Sequence, residues 1–484
     1  MSLLPRPLAL ALALATLLAG CTLGPDFHAP DAQAPAAWPA LQGPAAPSRP
    51  RAEPLDVSWW QRFDDPLLTR LIQRAVDDNL DLRLAASRVL QARAARGTLV
   101  ADRYPSVDAS GRLDRVRDSA RGPNAQPGQD AHSVWDLGLG ASWELDLWGR
   151  VRRQVEAADA RVEGAEDDLR GVLVLLLGDV ARHYIGLRQA QATLAVTRDT
   201  LDVARHSLRL ARQRFDDGVA TRLDMAQSTA QVAAIEARLP LLEQRAGDEL
   251  EALGLLLDQP PRRLADDLAA PGPVPEGHGT FAMGLPSELA RRRPDIRQAE
   301  ARLHAATAAI GVAEAAFYPS IRLTGDLGLQ SLQLADLGDW NARRFALGPV
   351  LRLPLFEGGR LTGTLALREA QQQEAALDYR KKVLAAWHEI DAALRRYNAS
   401  QLRRDHLAEA VRQSRTALDA AQRQYMEGAV DFLNVLTLQG ILLSNQEQWV
   451  ASNAETSEAL VTLYGALGGG WQAFDGDGQR TAAR

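Results

Sequence analysis

The chain holds 484 residues, 46% hydrophobic, 24% charged and 5% aromatic, with a formal net charge of -6. That apolar share excludes a disordered chain, and a mean hydropathy of -0.21 excludes a polytopic helical membrane protein. The mild acidity offers no basic field for nucleic acid, and the single cysteine excludes an intrachain disulfide framework or a Cys-rich zinc site.

Residues 1–20 predict a secretory signal peptide. Arg6 precedes an apolar run from Leu8 to Leu18, short of the roughly 20 residues a spanning helix needs. Leu18-Ala19-Gly20-Cys21 resembles the bacterial lipobox, which makes Cys21 the expected site of a covalent lipid and of mature-chain start. The residue that follows is Thr22. Among such lipoproteins an aspartate there signals inner-membrane retention, so its absence points to the outer membrane. Residues 21–58 carry Pro25, Pro30, Pro35, Pro39, Pro44, Pro47, Pro50 and Pro54, predicting an extended tether without helix or ladder.

The middle of the chain is written twice. Asp81-Leu82-Arg83 through Tyr104-Pro105-Ser106 returns as Asp295-Ile296-Arg297 through Tyr318-Pro319-Ser320. Trp148-Gly149-Arg150 matches Gly358-Gly359-Arg360, and Arg214-Phe215-Asp216-Asp217-Gly218 matches Gln424-Tyr425-Met426-Glu427-Gly428. Ordered matches at separated points predict a duplicated unit: repeat 1 over 59–258, a connector over 259–292, repeat 2 over 293–467, and a tail over 468–484.

Each repeat opens with a helix and then changes period. Trp135, Leu137, Leu139, Ala141, Trp143, Leu145 and Leu147 alternate with Asp136, Gly138, Gly140, Ser142, Glu144 and Asp146, a strict period of two. With the matching stripe from Val107 to Leu113 this predicts a β-hairpin at about 106–147. Ile321 to Leu329 and Phe345 to Leu355 predict its counterpart at about 320–356. Strands of about ten residues with tryptophan near the ends of the apolar face fit an outer-membrane barrel; a soluble sheet over a core fits the same local pattern.

Long helices follow, predicted at 151–215 and 360–426. Leu173, Val180, Leu187, Leu194, Leu201, Leu208 and Phe215 recur every seven residues, beside a seam of Leu176, His183, Ala190, Thr197, Ala204 and Ala211. At 1.5 Å per residue such a helix is roughly 95–100 Å long. His183 reads as a packed seam residue. Gly218 and Gly428 predict turns into return helices at 223–257 and 432–467. Helices this long must bury their stripes on one another.

Four membrane strands cannot close a barrel, and open edges are not viable in lipid. Copies must therefore associate: two give a filled eight-stranded barrel, three give twelve strands and a lumen. Here the chain resembles a known family. Arg292-Arg293-Pro294-Asp295-Ile296-Arg297, Ser142-Trp143-Glu144-Leu145-Asp146-Leu147-Trp148-Gly149-Arg150, Leu355-Phe356-Glu357-Gly358-Gly359-Arg360 and Ala466-Leu467-Gly468-Gly469-Gly470-Trp471 resemble the TolC-like outer membrane factors, in particular the NodT-type lipoproteins. The resemblance covers essentially the whole mature chain. It implies a mainly α fold with membrane β-structure: a homotrimer with a twelve-stranded outer-membrane barrel continuous with a twelve-helix periplasmic α-barrel. It further implies a passive exit duct that docks to a periplasmic adaptor and an inner-membrane resistance-nodulation-division (RND) pump, with no enzymatic activity, metal or cofactor beyond the Cys21 lipid. No G-x-x-x-x-G-K-[ST], H-E-x-x-H or G-x-S-x-G motif stands against this.

The resemblance also bears on a periplasmic gate. Asp224 and Tyr425 match family positions whose hydrogen bonds and ion pairs close the tip. The family's basic partner is replaced by Val430, and the two positions of TolC's aspartate rings read Asn434 and Thr437. Asp431 is the nearest carboxylate and Arg222 the nearest substitute cation. Like charges at ~6 Å and an effective dielectric of about 20 cost roughly 3 kcal/mol per pair, enough to require protonation or a counter-charge. Asp224 and Asp431 also sit where helix caps belong, and the two roles stay open. The rival architectures are a coiled-coil envelope lipoprotein that conducts nothing and the duct of an ABC-type secretion system.

Overall fold

The computed structural model describes residues 22–31, 50–51, 53–119, 121–123, 130–277, 279–284 and 286–475. Cys21 and the signal peptide lie outside them. Two compact units arise: Met1–Pro30 with Arg88–Ala165 and Gln298–Tyr379, and Asp31–Ser87 with Glu166–Arg297 and Arg380–Arg484.

In chain order, the helices begin with α1 (Pro66–Asp78), which Pro66 starts at the first turn while Asp65 accepts from the amides of Leu67 and Leu68. Its buried face is Leu68, Leu71, Ile72 and Ala75, the spacing of one helical stripe. Asn79 ends α1 and begins α2 (Leu80–Ala101), its side chain accepting from the amide of Leu82. Strands β1 (Ser106–Val116) and β2 (His132–Leu145) follow, then α3 (Arg150–Asp216). The return consists of α4 (Arg222–Glu236) and α5 (Leu239–Leu256). A single return helix over 223–257 is thus corrected to two. Pro240, in the first turn of α5, lacks an N–H and its ring would clash with the carbonyl of Glu236.

The connector holds two short helices, α6 (Ala265–Leu268) and α7 (Leu289–Arg292). Then come α8 (Pro294–Ala315), β3 (Ser320–Ser331), β4 (Arg343–Arg352), α9 (Arg360–Met426) and α10 (Phe432–Ala466). Both long helices have 67 residues.

In the first unit the four long strands form one antiparallel sheet in the order β1-β2-β3-β4. Nearby, α3 and α8 approach through a stripe of alanines, Ala157, Ala160, Ala305 and Ala308, where small side chains let backbones come close. Residues 22–30 pack against the same unit. Arg153, 3% exposed, donates to the carbonyls of Leu23 and Gly24 at 3.0 and 3.1 Å and pairs with Asp26 and Glu156 at 2.8 Å each. Phe27 stacks on His304 with centroids 4.4 Å apart. The segment behind Cys21 is therefore a docked strap.

In the second unit, Trp59, Trp60, Phe63, Tyr464 and Phe474 build an aromatic core. Pro50–Arg51 pair in parallel with Phe281–Ala282, which corrects the expectation that prolines exclude any ladder: Pro50 lacks a donor but keeps its carbonyl. The tail is also more ordered than its glycines suggest. Gly468 and Gly470 take positive φ of 68° and 111°, and Trp471–Ala473 form a 3-10 turn that buries Trp471 beneath the guanidinium groups of Arg170 and Arg297. Those arginines also hold Asp167 at 2.6 and 3.1 Å; its carboxyl is nonetheless raised, because burial outweighs both.

In α3 the seam of small residues, Ala190, Thr197, Ala204 and Ala211, is buried throughout. His183 is the exception. It is half-buried and its Nδ1 lies 2.8 Å from Glu249 on α5, so the packed-seam reading is corrected to a polar pair. The ideal Cβ of Gly186 would lie 2.8 Å from the Glu249 carboxylate, so the missing side chain one turn on is what seats that group.

Candidate functional site

Two regions carry the functional geometry. The first is the sheet. Strand register sorts its side chains onto two faces: Val107 lies opposite Ala141, which lies opposite Gly325, which lies opposite Leu347. Val107, Leu113, Leu137, Leu139, Leu327, Phe345, Leu347 and Leu351 share this face and are exposed, Phe345 and Leu347 by 78% and 87%. An apolar face of this size on a soluble sheet would be buried on a core. Contact with lipid in place of water is worth on the order of 10 kcal/mol per copy, at roughly 1–2 kcal/mol for each partly exposed side chain.

The opposite face is polar and internally bonded. Arg344 bridges Asp136, at 2.8 Å, and Asp326. Gln330 donates to Asp136 at 2.9 Å, and Arg322 lies 3.7 Å from Glu144. Glu144 in turn accepts a two-bond fork from Arg150 at 2.8 Å each, fixing the strand to the start of α3. Glu144, Arg150, Tyr318 and Arg352 line a cavity of about 260 Å³ at this junction. Among the described residues β1 and β4 each have a partner strand on one side only.

The second region is the pair of helical turns. Gly218 and Gly428, with φ of 72° and 76°, each close a Schellman cap. The amides of Val219 and Ala429 reach back to the carbonyls of Arg214 and Gln424 at 2.8 Å, and those of Gly218 and Gly428 to Phe215 and Tyr425 at 3.0 Å. These bonds recur at an offset of 210 residues; the first turn adds one from the Ala220 amide to the Arg214 carbonyl at 3.0 Å. Beyond them the two turns diverge. Thr221 and Asp224 form a reciprocal capping box at the start of α4: the Thr221 amide donates to the Asp224 carboxylate at 2.8 Å, and the Asp224 amide to the Thr221 hydroxyl at 3.2 Å. The equivalents in the second copy are Asp431 and Asn434. Asp431 holds the N-cap position of α10 with no side-chain cap bond.

The Tyr425 ring packs on a cluster of Ala211, Leu418, Ala421, Phe432, Val435 and Leu436, with Phe432 at a centroid distance of 5.1 Å. The Arg214 guanidinium lies over the same ring, 4.5 Å from its centroid. Farther along, Gln439 donates to Ser207 at 3.1 Å in a buried pair and Asn445 to Ser414 at 2.7 Å in a partly buried one, and the two fix how α10 seats on α3 and α9.

The model of the outer membrane efflux protein family matches residues 71–258 and 285–469, most of the chain and both copies of the repeat. The chain belongs to this family. Among its relatives, the pyoverdine export outer membrane protein OpmQ of Pseudomonas putida is 36% identical over 445 residues, covering 91% of this chain and 92% of that protein. Outer membrane protein OprJ of Pseudomonas aeruginosa is 33% identical, covering 95% of each. The solved outer-membrane channel OprN is 35% identical and superimposes with a TM-score of 0.87 over 93% of this chain and all of that one. This outer membrane efflux protein therefore resides in the outer membrane, and its described helices include none long and apolar enough to cross one.

The residues expected at the gate are distributed as follows. Asp224 is engaged in its cap and half-buried; Arg222, Asp431 and Asn434 are exposed. Among the described residues no hydrogen bond or ion pair joins Asp224, Tyr425, Arg222 and Asp431 to one another. Sequence reasoning missed Arg214. Its signal was the repeat alignment itself, which sets an arginine against Gln424 immediately before the matched aromatic pair Phe215 and Tyr425. Cys21 lies outside the described residues. Among the described residues no cluster of three or more His, Cys, Asp or Glu side chains is placed to hold a metal ion.

Proposed function

We propose that three copies close their sheets into a twelve-stranded barrel whose polar face lines a water-filled lumen, and that their long helices bundle into a twelve-helix periplasmic tunnel. The channel is the passive exit duct of a tripartite efflux system. It receives small organic molecules from an inner-membrane RND pump through a periplasmic adaptor, and is anchored by lipid on Cys21. Relatives named for solvent, toluene, antibiotic and pyoverdine export support that breadth of cargo. The observation that carries the reading is the sheet: one face apolar and exposed, the other polar, and, among the described residues, two edges without partners.

At rest the tunnel is closed at its helical turns. In this reading Asp431 and Asn434 face the axis, Arg222 supplies a cation, and Asp224 and Tyr425 hold neighbouring tips together. Planar bilayer recording of the detergent-purified protein tests both levels. The duct requires a trimeric mass and discrete conductance; a non-conducting monomer refutes it. The gate requires that Asp431→Ala or Arg222→Ala change resting closure or ion preference; unchanged traces in both refute that assignment alone.

A further inference from the structure

The apolar face of the sheet ends differently at its two ends. Toward the helices, the last strand residues on this face are Val107, Leu145, Ile321 and Leu351, all aliphatic. Toward the hairpin loops they are Arg115, Ser133, Ser331 and Arg343. Arg115 is placed on this face by its register with Ser133, to whose hydroxyl it donates at 3.2 Å. Arg343 lies opposite Leu329, and its guanidinium stacks 3.8 Å from the centroid of Trp340, a side chain 76% exposed. Each guanidinium thus keeps unused donors and is exposed.

The two arginines stand on β1 and β4, the edge strands of the sheet among the described residues. In the sheet frame, Arg115 pairs level with Ser133, whereas Ser331 pairs two residues lower with Trp135 and Arg343 two lower again with Leu329. That stagger is the shear of a tilted barrel, so strand ends that step in the sheet frame lie at one depth in the membrane. Threefold closure would set Arg343 of one copy beside Arg115 of the next, at the loop-side limit of the lipid-facing band.

We propose that each seam between copies is a binding site for a phosphate-bearing lipid headgroup of the outer leaflet, taken by Arg115 and Arg343 with Trp340 at the acyl boundary. Two planar guanidinium forks match phosphate oxygens, and an aromatic ring beside them suits the border of headgroup and chain. The helix-side end of this face has Trp143, whose indole donates to the Arg103 carbonyl at 3.0 Å, but its outermost strand residues are aliphatic and form no arginine pair on the two edge strands, which favours the loop-side leaflet. The proposal rests on the threefold ring proposed above.

The test is native mass spectrometry of the full-length protein incubated with a bis-phosphorylated glycolipid of the lipid A type or with phosphatidylethanolamine. The wild type should retain the glycolipid preferentially. R115Q/R343Q should lose that preference about tenfold or more, R115K/R343K should keep most of it, and Arg112→Gln, on the opposite face, should not alter it. Mass and bilayer conductance are read on the same preparations. A conducting trimer whose R115Q/R343Q variant retains the glycolipid like the wild type overturns the site alone. A wild type that is monomeric and silent overturns the ring and the seam together.

Discussion

Gly311→Ala should release the strap that follows the lipid-bearing position. An added Cβ on this residue of α8 would lie 2.5 Å from the Leu23 carbonyl oxygen and 2.9 Å from Arg153 Cγ, while Gly24, at φ 86°, faces it with its own ideal Cβ 2.4 Å from Gly311 Cα. Neither the backbone of the strap nor a buried arginine has room to yield. Displacing the strap removes two carbonyl acceptors from Arg153, at about 1.5 kcal/mol each for bonds to a charged group; the Asp26 contact, whose carboxylate is 79% exposed, adds little. Alanine's higher helix propensity acts on α8 whether the strap is docked or not, and so cancels. The loss is about 3 kcal/mol against docking, on the order of a hundredfold rise in the undocked fraction. Hydrogen exchange read by mass spectrometry on peptides covering 22–30 measures it, since the Leu23 amide is bonded to the Trp148 carbonyl at 3.2 Å. Gly97→Ala, with nothing within 4 Å of its added Cβ, is the control and should leave the strap untouched. Wild-type exchange in Gly311→Ala would refute the close-approach argument.

Two further outcomes follow from the second unit. The hydrogen bond to Glu249, opposed by burial, raises the His183 pKa above its ordinary 6.5. The pair's stabilisation is therefore complete below about pH 6.5 and is lost as pH rises through the higher folded value; solvent contact limits it to about 0.5 kcal/mol. His183→Gln should flatten the melting temperature against pH between 6 and 8, and an unaltered slope would count against the pair. Arg214→Gln removes a cation from the Tyr425 ring worth about 0.5–1 kcal/mol. It should raise the open probability in bilayer recordings, and unchanged closure would show that this contact does not restrain the tip.

The strands were legible because a period of two with one greasy face leaves little freedom of register, and the duplication was legible because it preserved turn chemistry. Pro240 carried its own signal in the sequence, but a continuous apolar pattern across 223–257 obscured the break it imposes. His183 occupies a heptad seam position and so reads as packed; nothing local announces that Glu249, 66 residues on, will reach it over Gly186. The tail misled for a related reason. Its three consecutive glycines read as loose chain, whereas two of them use left-handed conformations to fold Trp471 back under Arg170 and Arg297. For His183 and the tail the deciding contact is long-range, and composition carries no record of it.

Duplication explains the frame, and its failures point to where the protein acts. At the offset of 210, bonds recur even at the far ends of the return helices, where the amides of Gln259 and Gly469 reach the carbonyls of Gly254 and Tyr464 at 2.8 and 3.0 Å. The second copy meets the positive φ there with Gly468, the first with Asp258 at 52°. Several polar side-chain contacts do not recur: across helices, His183 and Glu249 correspond to the buried Ala393 and Ala459 and Arg214 to Gln424, and within the cap Thr221 and Asp224 correspond to Asp431 and Asn434. A ring of three copies would therefore alternate two kinds of tip, one pinned by its capping box and one with a bare carboxylate at its N-cap. If such a ring closes at its turns, it would open at one kind before the other, because different side chains would hold turns of closely similar backbone.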